Sequence, residues 1–242
     1  MIEILVPVLA RPQNAQALVD SITASTQAEH RIHFLCSPND AEEIAACEET
    51  GALVHVMGWQ PRFGDYGRKM QWGYENTEGE HLFLAADDIE FTPGWDREVL
   101  RQPGAVVGTN DMANGSVKRG LFGTHCLVAR RYVTEQGASA DGPGVLIHKG
   151  YDHNFTDREL CGVAIERGEW AFAKRAVVKH RHPLWKTAPD DSTYKKSLRN
   201  FHRDRVLFLR RAQLWGYAGL SFSERALAQG TRNRRQGRYS RT

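Results

Sequence analysis

The chain has 242 residues, which is enough for one large domain or for one domain with an appendage. Hydrophobic residues make up 41% of it, so a substantial core can form, and no run of about 18 apolar residues predicts a membrane span. The four cysteines have no C-x-x-C spacing and are interpreted as buried thiols of a protein in a reducing compartment, which predicts a cytoplasmic location.

The net charge of +3 conceals a division along the chain. Residues 1–194 carry 19 Lys and Arg against 27 Asp and Glu, a net charge of −8, whereas residues 195–242 carry 13 against 2, a net charge of +11. This asymmetry has two interpretations. The basic segment is either a solvated helix that packs against an acidic body or a surface that meets an anionic partner.

The first part of the chain alternates between strand and helix patterns. Near-continuous apolar runs predict strands at residues 2–9, 31–36 and 52–57, and helices are predicted at residues 13–26 and 41–50 between them. Alternating strands and helices with short links predict an α/β fold with a mostly parallel central sheet flanked by helices.

The later elements continue this pattern and then change to a basic helical extension. A Gly- and aromatic-rich loop at residues 58–67 precedes a predicted helix at 68–76. The remaining predictions are strands near 81–91, 105–108, 123–129 and 170–178, helices at 155–167 and 192–215, and a mobile Gly-rich loop at 137–144.

We therefore divide the chain into three parts. Residues 1–190 form the α/β domain. Residues 191–220 form the basic helical extension, and the Arg-rich residues 221–242 are expected to be a flexible tail.

The strand near residues 81–91 carries the most informative motif. Its apolar run ends in two adjacent carboxylates, Asp87 and Asp88, shortly before Pro93 and Gly94. Carboxylates at a strand end suit Mg²⁺ or Mn²⁺, which prefer oxygen ligands, and both can reach one ion if the strand has already turned. The alternative is a pair of turn carboxylates that cap the following segment.

Two further groups are candidates for the same site. His180 and His182 follow another predicted strand and are either metal ligands or a solvated pair before a proline. Asp157 and Glu159 lie at the start of a predicted helix. Either the helix dipole stabilises them there and they have no further role, or one of them, Asp157, is a general base for an acceptor hydroxyl. Asp152 and His153 lie close by, as weaker candidates for the base.

Basic and acidic residues at the predicted sheet edge suggest an anionic ligand. Arg11 and Asp40 follow the first two strands, at the edge where open α/β sheets bind ligands, and Arg68 and Lys69 could meet phosphates. Neither a P-loop nor a G-x-G-x-x-G motif is present, so the sequence supports neither of those nucleotide sites.

Over about residues 2–185 these segments resemble the GT-A fold glycosyltransferases of the large family-two type. Residues 4–12, Ile-Leu-Val-Pro-Val-Leu-Ala-Arg-Pro, resemble that family's opening strand and the turn that lines its nucleotide pocket. Asp40 lies where the family often places the acid that reads the base. The resemblance implies that residues 1–190 are a GT-A catalytic domain, with a nucleotide-sugar-binding half at 1–100 and an acceptor and metal half at 101–190. The nucleotide-sugar contacts that it implies are Pro7, Ala10, Arg11, Asp40, Arg68, Lys69 and Asp87.

The acidic strand end resembles the D-x-D segment of the same family. Residues 86–95 end in the same Pro-Gly-Trp, but Ala86 stands in place of the first acid, so the resemblance implies Asp88 as the main metal ligand, assisted by Asp87. The strand ending at His180 is similar to the one whose histidine completes the coordination. The implied cofactor is Mn²⁺ or Mg²⁺.

The resemblance also implies the groups on the acceptor side. Residues 157–160 are similar to the motif whose aspartate is the base in inverting enzymes, which implies Asp157. Residues 123–131 resemble an acceptor-side segment. The acceptor-side candidates are Gly123, Thr124, His125, Glu159 and His182.

The expected activity is transfer of a sugar from a UDP- or GDP-type nucleotide-diphosphate sugar to an acceptor hydroxyl, with inversion. The sequence does not identify the acceptor: a protein, a glycan, a small molecule or a nucleic acid would each fit. Two alternatives remain, a GT-A-like nucleotidyltransferase and a nucleic-acid-binding module that has lost catalysis.

Overall fold

The computed structural model describes residues 1–221 and 223–228. Within them, eight strands form one sheet in the order β3-β2-β1-β4-β7-β6-β8-β5. The strands are β1 (Ile2–Pro7), β2 (His30–Cys36), β3 (Leu53–Val56), β4 (His81–Leu84), β5 (Ile89–Phe91), β6 (Val106–Asn110), β7 (Cys126–Ala129) and β8 (Trp170–His180).

Helices cover both faces of this sheet. They are α1 (Ala15–Ser25), α2 (Ala41–Glu49), α3 (Asp65–Glu75), α4 (Trp95–Leu100), α5 (Gly115–Lys118), α6 (Arg130–Gln136), α7 (Thr156–Glu166), α8 (Ser192–Arg199) and α9 (Phe201–Arg211). Short 3₁₀ turns lie at Pro12–Asn14, Pro183–Trp185 and Ala212–Trp215. Among the described residues, no helix has the length and apolar character needed to cross a membrane.

The sheet is parallel in its first half and mixed in its second. Strands β1 to β4 run parallel, with β1 between β2 and β4. Strand β7 is antiparallel to both β4 and β6, and the long β8 pairs in parallel with β6 and antiparallel with β5. The α/β fold predicted from the sequence, with its mostly parallel central sheet, is confirmed.

The core has one apolar layer on each face of the sheet and a third cluster at the C-terminal helices. One layer includes Phe34, Phe83 and Trp95, and the opposite layer includes Leu5 and Met70. In the third cluster, Val163 of α7 packs with Phe208, Leu209 and Trp215. The basic extension is therefore packed onto the body through the apolar face of α9.

The strand predicted at residues 81–91 is interrupted. It forms β4 and β5, with a turn at residues 85–88 between them, so the two carboxylates lie in irregular backbone. The turn removes the strict alternation of a strand, which would have pointed Asp87 and Asp88 to opposite faces.

The helix predicted at residues 192–215 is also divided. Asn200 separates α8 from α9, and a 3₁₀ turn follows α9. Residues 223–228, which belong to the predicted tail, are helical, and the Arg-rich segment 230–242 lies outside the described residues.

Candidate active site

The pairing of β5 with β8 brings the acidic turn and the histidine strand together. Ile89 is the register partner of His180, so the preceding residue, Asp88, lies beside the histidine. The backbone N–H of Arg181 donates to the carbonyl of Asp88 at 2.8 Å. As a result Oδ1 of Asp88 lies 3.5 Å from Nε2 of His180.

Arg11 reaches the same carboxylates from the turn after β1. Its Nη1 donates to Oδ1 of Asp87 at 3.1 Å and to Oδ2 of Asp88 at 3.2 Å. The turn is held by Glu43, whose Oε2 accepts from the backbone N–H of Arg11 at 2.5 Å, and by the left-handed backbone of Ala10 at φ 54°. The two predicted groups, Arg11 and the Asp87–Asp88 pair, therefore meet.

Two residues that the sequence did not identify cover this cluster. Asp191 binds the guanidinium of Arg11 through two hydrogen bonds, Nε to Oδ2 at 2.9 Å and Nη2 to Oδ1 at 3.2 Å. The hydroxyl of Tyr194 lies 2.7 Å from Oδ2 of Asp88, and its ring stacks on Arg11 with 3.9 Å between guanidinium carbon and ring centre. The sequence offers one local signal for them: an aspartate directly before a predicted helix is a typical N-cap. Asp191 is the N-cap of α8, and its side chain accepts from the backbone N–H of Tyr194.

The surroundings shift the pKa values of the two aspartates in opposite directions. Burial, and then the neighbouring Asp88, raise the pKa of Asp87. Burial would also raise the pKa of Asp88, but His180, Tyr194 and Arg11 together hold it below its usual range. The pKa of His180 is raised by Asp88 in spite of burial. Asp88 is thus the carboxylate that stays ionised.

His125, predicted on the acceptor side, lies behind His180. The ring centres are 5.1 Å apart, and Nδ1 of His125 lies 3.2 Å from the carbonyl of Leu84. Burial, together with His180, lowers the pKa of His125 to about 3, so its ring is neutral. Its Nε2 is buried without a hydrogen-bond partner among residues 1–221 and 223–228.

The donor set fits a divalent cation in part. Oδ1 of Asp88 is buried and has no hydrogen-bond partner within the described part of the chain, and it faces His180 at a distance that one ion can span. A carboxylate with an imidazole suits Mn²⁺ better than Mg²⁺, which prefers oxygen ligands. No group of three or more His, Cys, Asp or Glu side chains is assembled for a metal in the described residues, so further ligands would come from a bound molecule.

Asp157 lies in the first turn of α7. The helix follows Phe155, whose backbone is left-handed with φ at 67°. Oδ1 of Asp157 accepts from the backbone N–H of Arg158 at 2.8 Å. Burial raises the pKa of Asp157 to about 6, although Arg158 and His180 act in the opposite direction. A carboxylate with this pKa can take a proton near neutral pH.

Arg68 and Lys69 both pair with Asp65, at 3.2 and 3.0 Å, but they differ in exposure. Lys69 is buried, and its Nζ donates to the carbonyl of Val8 and to Oγ of Ser37, both at 2.8 Å. It thus joins the ends of β1 and β2. Arg68 is partly exposed, and its guanidinium lies 5.2 Å from the ring centre of Trp59.

The remaining nucleotide-side candidates surround the turn after β1. Asp40 accepts from the N–H of Ala10 through Oδ2 at 2.6 Å, so it stabilises the turn that carries Arg11. Pro7 is the last residue of β1 and is half-buried at the same edge of the sheet. Pro7, Ala10 and Asp40 therefore lie together with Arg11 at this edge of the sheet, and their contact with a nucleotide stays a prediction.

The acceptor-side candidates are dispersed. The N–H of Gly123 lies 3.4 Å from Sγ of Cys161, and Oγ1 of Thr124 donates to Asp111 at 3.3 Å. Glu159 is buried, and Arg211 binds it through two hydrogen bonds at 2.6 and 2.8 Å. This ion pair joins α7 to α9, so the carboxylate of Glu159 is engaged in a structural contact.

His182 lies beside Tyr194, with 4.6 Å between the ring centres, and its Nδ1 accepts from the N–H of Leu184 at 3.1 Å. Burial, and then His180, lower the pKa of His182. Its ring centre is 5.2 Å from that of His180, so His182 lies at the edge of the candidate metal site.

A cleft opens between α1 and the segment 187–194, which we call the strap. Asp87 and Asp88 line the cleft together with Arg11, and so do Asp191 and Tyr194 of the strap. Its volume of about 230 Å³ is below the range of about 300–1,000 Å³ usual for small-molecule pockets. A large ligand would therefore require the strap to move.

Comparison with known proteins supports the fold. No protein-family model matches the sequence, and no curated protein matches it. A structure of glucosyl-3-phosphoglycerate synthase from Mycobacterium tuberculosis, in complex with Mn²⁺, uridine-diphosphate-glucose and phosphoglyceric acid, is similar to this chain with a TM-score of 0.57 and 12% identity. The match covers 89% of this chain and 80% of that one.

The chain has the GT-A fold. A structure of the same synthase in complex with Mg²⁺ and uridine diphosphate matches with a TM-score of 0.55 and 12% identity, over 88% of this chain and 79% of that one. A structure described as a mycobacterial protein matches with a TM-score of 0.52 and 15% identity, over 75% of this chain and 67% of that one. The fold predicted from the sequence motifs is confirmed.

Proposed function

We propose that this protein is a metal-dependent glycosyltransferase that moves a sugar from a nucleotide-diphosphate sugar to an acceptor hydroxyl. The observation that carries the proposal is the meeting of Asp88 and His180, with Oδ1 of Asp88 buried and without a hydrogen-bond partner in the described chain. Proteins of the same fold have been solved with Mn²⁺ and uridine-diphosphate-glucose, which supports this class of donor and cofactor.

The metal would be held by Asp88 and His180, with Asp87 next to them. When bound, the cation supplies positive charge that stabilises the leaving diphosphate. The two protein ligands leave room for phosphate oxygens in the coordination sphere, in agreement with the lack of a third protein ligand among the described residues.

The nucleotide would bind at the turn after β1, where Pro7, Ala10, Arg11 and Asp40 lie together. Arg11 now donates to both aspartates and to Asp191. A guanidinium in this place matches a diphosphate as well as it matches carboxylates. We infer that Arg11 exchanges its carboxylate partners for phosphate oxygens when the donor binds.

Asp157 is the proposed general base, and the reaction is a single displacement with inversion. The acceptor oxygen forms a bond to the anomeric carbon while the bond from that carbon to the diphosphate oxygen breaks. The proton of the acceptor hydroxyl goes to Asp157, and the bonding electron pair leaves with the diphosphate.

The test is a turnover screen with UDP- and GDP-sugars and Mn²⁺, in which release of the nucleoside diphosphate is measured. Wild-type protein should hydrolyse or transfer at least one donor, and Asp88→Asn should lose this activity. Asp20→Asn, an exposed acid on α1 that binds only Gln16 in the described structure, is the matched control and should keep it. Turnover of a sugar-1-phosphate with a nucleoside triphosphate instead would show a nucleotidyltransferase.

A further inference from the structure

A positively charged face borders the candidate site. It is formed by α8, α9 and two neighbouring loops, and we call it the basic face. Its exposed members are Arg62, Lys149, Lys196, Arg199 and Arg203.

Helices α8 and α9 are fixed to the loop that leads into α7. Asn200 donates to Oδ2 of Asp152 at 2.9 Å. The buried carboxylate of Asp204 accepts the backbone N–H groups of Asp152, His153 and Asn154, each at 3.0 Å. These residues directly precede the helix of the proposed base, so the basic face lies at the acceptor side of the site.

Aromatic rings are interleaved with the cations of this face. The guanidinium of Arg203 lies 3.9 Å from the ring centre of Phe63, which is 41% exposed. Phe201, between Arg199 and Arg203 in sequence, is 42% exposed. Exposed aromatic rings beside Arg and Lys form the surface on which bases stack in single-stranded nucleic-acid sites.

The charges of the basic face are largely uncompensated. In the described residues Arg62, Lys149, Lys196 and Arg199 make no ion pair within 4.0 Å. Residues 1–194, which include Arg62 and Lys149, carry a net charge of −8 in total, so the surfaces away from the basic face repel polyanions. A phosphate backbone would supply the missing negative charge.

We infer that the basic face binds nucleic acid and that the acceptor hydroxyl is carried by a nucleic acid. A membrane surface is the less suitable partner, because the apolar side of α9 is already buried, with Phe208 fully buried and Leu209 at 8% exposure. An interfacial helix needs that side free to enter the lipid. The acceptor part of the inference rests on the proposed glycosyl transfer, whereas the binding part does not.

The binding part is tested by fluorescence anisotropy, without metal or donor, using fluorescein-labelled duplex DNA, its single strand and RNA of the same sequence. Wild-type protein should bind at least one of them with an affinity that falls as salt rises. In K196E/R199E the slope of log affinity against log salt should decrease by about 2, because two phosphate contacts are lost.

The matched control is R31E/R131E, which makes the same charge change on exposed residues near the opposite edge of the sheet. It should leave the slope unchanged, and thermal unfolding curves will show that both variants fold. The same slope in both variants, or binding to phosphatidylserine vesicles but to none of the nucleic acids, would overturn the inference.

The acceptor part is tested by incubating the bound nucleic acid with the active donor and Mn²⁺ and measuring its mass. A hexose added to the nucleic acid is the expected result. Transfer to other acceptors with no nucleic-acid binding would leave the glycosyltransferase proposal intact and reject this inference. Binding without any donor turnover would reject the glycosyltransferase proposal and retain the basic face as a nucleic-acid site.

Discussion

Arg11 and Asp191 form a two-bond ion pair, 2.9 Å from Nε to Oδ2 and 3.2 Å from Nη2 to Oδ1, that fastens the strap over the candidate metal site. The residues are 180 positions apart in sequence. Arg11 also binds Asp87 and Asp88, so Asp191 of the strap holds in place the guanidinium that neutralises these two carboxylates. Donor binding and opening of the strap should therefore be coupled.

Asp191→Asn should weaken this fastening and favour the open strap. The ion pair is partly exposed, so we expect its loss to lower the free energy of opening the strap by about 1 kcal/mol. Because the nucleoside diphosphate binds the open form, its dissociation constant should fall about fivefold. Isothermal titration with UDP and GDP measures it. Asp190→Asn removes an exposed neighbour that pairs with Lys195 at 3.5 Å and should change nothing. Equal affinities in the two variants would argue against a closing role for the strap.

The acid limb of the pH profile should report on Asp157. A base must be ionised to accept a proton, and burial raises the pKa of this carboxyl to about 6. The value of kcat/KM should therefore be constant at higher pH and fall as the pH drops below about 6. Loss of activity only below pH about 4, the range of an ordinary aspartate, would disagree.

Asp157→Asn removes the proposed base while keeping the shape of the side chain. The rate of transfer should fall by about 10²–10⁴-fold, with little change in the KM of the donor, because general-base catalysis acts in the transition state. The residual rate should lack the acid limb. A variant with wild-type kcat would exclude Asp157 from proton transfer.

Arg211→Met should destabilise the protein rather than alter its chemistry. Arg211 neutralises the buried Glu159, and without it an uncompensated carboxylate remains between α7 and α9. We expect a loss of about 3 kcal/mol in the free energy of unfolding, measured by urea denaturation. Arg210→Met, at the exposed neighbouring position, is the control and should unfold like wild type.

Local patterns were sufficient to predict the fold, and they also identified several residues that the structure brings together in the candidate site. Asp88 and His180 each stand at the end of an apolar run, and the parallel order of the first four strands follows from alternating strands and helices. The turn with Arg11 was found in the same way. Each of these signals lies within a few residues of the group that it identifies.

The rest depends on contacts between distant parts of the chain. Asp191 and Tyr194 lie at the start of the predicted helical extension, and nothing near them in sequence points to Arg11 or Asp88. Similarly, Lys69 looks like a phosphate ligand beside Arg68, but the helix periodicity buries it against the ends of β1 and β2. Glu159 is only two residues from Asp157, yet it faces Arg211.

The central claim is that Asp88 and His180 form a cation site completed by a nucleotide diphosphate. The most direct measurement is electron paramagnetic resonance of free Mn²⁺, titrated with wild-type protein, Asp88→Asn and the control Asp20→Asn, each with and without UDP. Wild type and the control should take up one Mn²⁺ that binds more tightly when UDP is present, and Asp88→Asn should not. Equal uptake by Asp88→Asn in the presence of UDP would contradict the account.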